Sequence, residues 1–149
     1  MFRFDRSVSR AARWLAVLCL LSAPLNVSAQ EPSHSGDPAG CWKGNWRSFC
    51  TSHKGKLSAK ITPCCDGRYR AIFRGTFFKI LCFKYTVTLN AEPADETGEV
   101  YHLYGSSDLG RLAGGVYHYD GYATATEFRV NYRSKDDKGV FAMHRTCCH

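Results

Sequence analysis

The sequence predicts an all-β domain of eight antiparallel strands in a closed up-and-down barrel, with a two-sheet β-sandwich as the alternative. Three observations predict it. From Gly40 onward, apolar and polar residues alternate with a period of two, the mark of strands with one wet face. Clusters of Gly, Pro, Asp and Ser recur at short intervals between these segments, as hairpin connections require. No stretch carries apolar residues at helical spacing over three turns. Successive hairpins in so small a domain favour closure, because a closed sheet has no unpaired edge.

Residues 1–29 are read as standing outside that domain. Arg3, Arg6, Arg10 and Arg13 precede the apolar run Trp14 to Leu21, and small residues then lead to Val27, Ser28 and Ala29. That order is a secretory signal peptide cleaved near Ala29. The apolar run is less than half the roughly 20 residues needed to span a bilayer. The expected address is export, to the periplasm, cell surface or medium. The polar, turn-rich residues 30–39 read as a flexible lead-in to a single domain over 40–149.

Within the domain, Trp42, Gly44 and Trp46 alternate with Lys43, Asn45 and Arg47, giving the first strand. The second sets Leu57, Ala59 and Ile61 against Lys56, Ser58 and Lys60. In the third, Tyr69, Ala71, Phe73 and Gly75 oppose Arg68, Arg70, Ile72 and Arg74. The fourth runs Phe83, Tyr85, Val87 and Leu89 against Lys84, Thr86 and Thr88. Four further strands are expected at 99–105, 114–119, 124–133 and 139–146. Turn signals lie at 93–98, 105–110, Asp120-Gly121 and 134–139.

Charge is laid out unevenly. The chain carries 20 Lys and Arg against 13 Asp and Glu, and residues 1–29 hold four Arg and one Asp, which leaves a mature net charge of +4. Between Lys43 and Lys84 stand ten basic residues and one acid, Asp66, whereas 85–149 holds six basic and nine acidic residues. Strand parity puts Lys43, Arg47, Lys56, Lys60, Arg68, Arg70, Arg74 and Lys84 on the face away from the aromatic residues. On neighbouring strands these form one basic outer wall. Facing like charges cost a few tenths of a kcal/mol or more per pair, so such a wall suits an anionic polymer: an acidic glycan or a cell-envelope polymer. The competing reading is a solvated face that guards strand edges. Nucleic acid is disfavoured as partner, because the aromatic side chains point inward and cannot stack on bases beside the charge.

Seven cysteines follow the signal segment: Cys41, Cys50, Cys64, Cys65, Cys82, Cys147 and Cys148. In an oxidising compartment they read as disulfide candidates, with one left over. Up-and-down topology places Cys41, Cys64, Cys65, Cys147 and Cys148 at one barrel end, so Cys41 can bridge to Cys147 or Cys148 across the closing seam. Cys50 and Cys82 belong to the other end. A metal site from Cys64, Cys65, Cys147, Cys148 and His149 is the rival, but adjacent cysteines chelate one tetrahedral ion poorly. No metal or cofactor is expected.

Two resemblances bear on this reading. The opening Gly40-x-Trp42-x-Gly44-x-Trp46, with the late Phe141-x-Met143-x-Arg145, resembles the calycin group of lipocalins, fatty-acid-binding proteins and avidins. That resemblance implies a calycin-like barrel in which Arg145 crosses Trp42 or Trp46 to close the base, and an interior able to hold one small apolar ligand. The run from Gly40 to Arg145 is also similar to small secreted proteins of unassigned function from planctomycete-type bacteria. It shares GxWxGNW, the Gly67 to Phe77 strand, Gly114-Gly-x-Tyr117 and the Phe128 to Asp136 hairpin. That likeness implies no activity.

Catalytic patterns are missing. The chain has no Gly-x-Ser-x-Gly, no His-Glu-x-x-His and no phosphate-binding loop, and Asp136 and Asp137 read as hairpin-turn residues. The expectation is a non-enzymatic binding module for an anionic polymer. A carrier of a small apolar ligand is the alternative, set against an interior filled by its own rings at native packing density.

Overall fold

The structure is a computed structural model that describes residues 36–78, 80–111 and 114–148. The signal-peptide assignment and His149 lie outside the described residues. Eight strands follow one another: β1 Gly40–Ser48, β2 Lys54–Pro63, β3 Arg68–Phe77, β4 Leu81–Pro93, β5 Tyr101–Asp108, β6 Val116–Ala123, β7 Glu127–Arg133 and β8 Lys138–Thr146. Each pairs antiparallel with the next, and β8 returns to β1, closing the barrel in simple chain order. The sandwich alternative falls away, since all eight described strands belong to one closed sheet. One 3-10 turn, Cys65–Gly67, links β2 to β3.

Alternation carries the fold because directly opposed residues in an antiparallel pair share a face. One inward rung runs Trp42, Ala59, Phe73, Tyr85 across β1 to β4, and the next runs Gly44, Leu57, Gly75, Phe83. Large and small side chains alternate along both, as the taper of a small barrel demands. Gly44 is required by approach rather than by a turn. A Cβ there would stand 2.1 Å from the Ala142 carbonyl oxygen on β8, so strong coiling at this corner excludes any side chain.

The two ends of the barrel differ. The end where β1 begins is packed solid around Trp42, Ile61, Leu103 and Phe128, all 0–2% exposed. Residues 36–39, which the sequence placed in a flexible lead-in, are docked there. The Trp42 indole N–H donates to the Pro38 carbonyl at 2.9 Å, and Arg145 donates to the carbonyls of Asp37 and Ala39. Pro38 is fully buried. Composition alone hid this, because the segment is held through backbone carbonyls rather than apolar side chains. The Arg145 guanidinium sits 4.3 Å from the Trp42 ring centroid. Trp46 instead belongs to the opposite end, where its indole N–H donates to the Thr76 carbonyl.

Two boundaries differ from the sequence reading for one reason. Asp120-Gly121 is not a turn but the middle of β6. Gly121 is there because a Cβ would lie 2.1 Å from the Arg129 carbonyl oxygen on β7. The turn falls instead at 124–126, where the Thr124 hydroxyl accepts from the backbone N–H of Thr126 and Glu127. Likewise Gly105 to Asp108, read as part of a turn, finishes β5.

Candidate functional site

The eight cations predicted for the outer wall are all exposed. The register orders them into rungs. Lys43, Ser58, Arg74 and Lys84 lie directly across from one another on β1 to β4. One rung toward the barrel base, Lys60 faces Cys41 and Ile72, and one rung the other way Lys56 faces Asn45. Two depressions open on this wall. One, of about 540 Å³, touches Lys43, Lys56, Arg74 and Lys84; the other, of about 230 Å³, touches Lys43, Lys60 and Arg74. They share Lys43, Ser58 and Arg74, and no carboxylate lines either. The β5 to β7 wall is mixed, with exposed Asp108, Asp120 and Glu127 beside exposed Arg129 and Arg133, so unopposed positive charge is concentrated on β1 to β4.

Three predicted members stand apart from this centre. Arg47 is near the β1 terminus, its guanidinium 5.3 Å from the Phe49 ring centroid. Arg70 lies two rungs beyond Arg74, between Thr62 and Thr88. Arg68 is already paired, its guanidinium 2.9 Å from the Asp66 carboxylate; the hydrogen bond between them lowers the Asp66 pKa and raises that of Arg68. Sequence reasoning missed Lys54, exposed and directly opposite Arg47. Its parity with Lys56 and Lys60 was the available signal, lost by starting the second strand at 56.

A second site lies inside the barrel, at the end opposite Trp42. The interior rings do not fill this half. A cup of about 500 Å³ opens there, lined by Trp46, Phe83, Tyr85, Tyr117 and Phe141 with Leu109 and Asp137 at its rim. The Asp137 carboxylate accepts from the Ser48 hydroxyl at 2.6 Å and from the Tyr132 hydroxyl at 3.2 Å, so this residue fastens the β7–β8 turn to the end of β1. The Tyr119 hydroxyl is buried without a hydrogen-bond partner. Its neighbour Tyr85 does not reach hydrogen-bond geometry with it. Burial pushes the pKa of Tyr85, Tyr119 and Tyr132 upward, reinforced at Tyr132 by the nearby Asp137. All three are therefore neutral hydroxyls under any physiological condition.

Of the seven cysteines, Cys41 and Cys148 are bridged, across a sequence separation of 107 residues. Cys50, Cys64, Cys65, Cys82 and Cys147 carry no bridge, so the described framework is thinner than the cysteine count suggested. Cys41 and Cys147 line the smaller wall depression and Cys82 the larger. Among the described residues no three His, Cys, Asp or Glu side chains converge as metal ligands, and Cys148, one member of the rival metal set, is bonded to Cys41. Compared with family models, with curated proteins and with solved structures, the chain finds no match.

Proposed function

We propose that this chain is an exported, non-catalytic binding module that holds an anionic polymer, an acidic glycan or cell-envelope polymer, against its outer wall. The observation that carries the reading is the pair of depressions sharing Lys43 and Arg74, rimmed by five cations and lined by no carboxylate. A linear polymer laid along the two would meet Lys84, Arg74, Lys43 and Lys60 in succession. The like-charge pair Arg74 and Lys84, directly opposed on β3 and β4, costs the free protein stability that a bound anion returns. Arg74→Glu combined with Lys43→Glu is expected to reduce retention on a sulfated-glycan matrix at moderate salt by more than tenfold. Arg68→Glu should matter much less, because Asp66 already neutralises Arg68. Equal loss from Arg68→Glu, or no loss from the double change, would sink the reading.

A second reading is favoured by the cup, whose lining of Trp46, Phe83, Tyr85, Tyr117 and Phe141 suits a small, largely apolar ligand. Withdrawing the apolar surface of such a ligand from water would drive its binding. Such binding is insensitive to salt, unlike binding at the wall. An uncharged naphthylamine dye is expected to bind at low and high salt alike, and Leu109→Trp to abolish it by filling the rim. Dye binding unchanged in that variant, or none to the parent protein, counts against the carrier.

A further inference from the structure

The open end of the barrel carries a feature that neither reading uses. Phe49, Phe78, Ile80 and Leu81 are 51%, 59%, 81% and 58% exposed. Phe49 lies in the β1–β2 connection, Phe78 and Ile80 in the β3–β4 connection and Leu81 at the start of β4. The two connections meet through His53, whose ring centroid is 4.7 Å from that of Phe78. Single exposed apolar residues are ordinary, but four gathered on two touching hairpin tips mark a contact surface.

The tip is built rather than loose. Phe78 packs edge-on against Phe77 at 4.3 Å, and Phe77 stacks on Trp46 at 5.8 Å, so the projecting ring is rooted in the barrel lining. Phe78 holds a φ of 50°, a left-handed conformation that a bulky residue rarely adopts.

We propose that this end docks on the surface of an anionic phospholipid bilayer. Charge complementarity selects that occupant. Arg47, Lys54, Lys56 and Lys84 are exposed on the strand ends beneath the tip. The β1–β2 and β3–β4 connections carry no carboxylate. Asp66 is at the opposite barrel end in the β2–β3 turn, whereas Asp136 and Asp137 share this end on the β7–β8 turn, flanked by Lys135 and Lys138. Apolar tips entering the headgroup boundary, with cations behind them at the depth of the phosphates, is the arrangement that holds a protein on an anionic interface. A second copy of the chain is disfavoured, because self-association would bring two such cationic collars together.

The test is co-sedimentation with phosphatidylcholine vesicles, with and without phosphatidylglycerol. The expected result is sedimentation with the phosphatidylglycerol vesicles, weak sedimentation without them, and at least a tenfold loss for Ile80→Asp with Leu81→Asp. Retention of that variant on the sulfated-glycan matrix should be unchanged, which checks folding and separates this tip from the wall. Failure of the parent protein to sediment with the anionic vesicles overturns the proposal. So does equal sedimentation of the variant. A dimer lost in the variant, without any vesicle binding, overturns it by assigning the tip to a second copy.

Discussion

Removing the Cys41–Cys148 bridge by Cys41→Ser is expected to lower the free energy of unfolding by about 4–5 kcal/mol, as a chain-entropy treatment gives for a closed loop of roughly a hundred residues. The bridge joins residues 107 apart, so it closes a loop that contains all eight strands. In the folded state the same closure is also held by the β1–β8 ladder from Cys41 to Ser48, and losing the bridge therefore frees the unfolded ensemble more than it disturbs the barrel. Denaturant unfolding should show a lower midpoint, with a steeper denaturant dependence as the unbridged chain exposes more surface. Cys41→Ser is the informative change, since Cys147 is a free neighbour able to replace Cys148. Cys147→Ser, which removes an exposed thiol, should leave stability within about 0.5 kcal/mol. A loss below about 1 kcal/mol for Cys41→Ser would mean that residual structure already restricts the unfolded chain, and the bridge would then be a redox feature rather than a staple.

How far the sequence reveals the fold depends on which constraint a residue answers to. Strands β1 to β4 are legible because their inward and outward residues differ in chemistry at nearly every step, and parity alone placed Lys43, Arg74 and Lys84 on one wall. In β5 and β6 the same period is carried by Tyr, His, Ser and Gly, which sit on either face, and the boundaries slip. Gly121 shows why. An Asp-Gly pair between apolar runs is ordinarily a turn, yet here the glycine yields to a crossing carbonyl on β7, a constraint set by a strand that local sequence does not contain. The cup was illegible for a related reason. Counting rings overestimates filling, because Phe83 lies over Gly75 and Tyr117 reaches toward Tyr132, leaving space that only the curvature of the barrel defines. The exposed tip was missed because Phe77 and Phe78 are adjacent, and parity cannot say that the second projects from a left-handed turn.

Arg145→Met is expected to cost about 3–4 kcal/mol, although the substitution keeps an unbranched side chain that can still cover Trp42. Arg145 does four things at once. It donates to the carbonyls of Asp37 and Ala39 in the docked segment and to Ala125 in the β6–β7 turn, and it covers the Trp42 ring. Methionine preserves the cover but leaves three carbonyls short of a charged donor, in a place where burial already lowers the Arg145 pKa and the Asp37 carboxylate only partly offsets it. Each such bond, being part-exposed, is worth about 1 kcal/mol net, and the cation over the indole up to about 1 more. Arg145→Lys separates these contributions: the charge above Trp42 survives, but an ammonium cannot reach three carbonyls in divergent directions as a guanidinium does. The lysine variant should therefore recover no more than about half the loss, and protease cleavage within residues 36–39 should rise in both variants as the segment undocks. Full rescue by lysine would place the energy in the charge over the ring, and undiminished protection of 36–39 would mean that the Trp42 bond to Pro38 holds the segment alone.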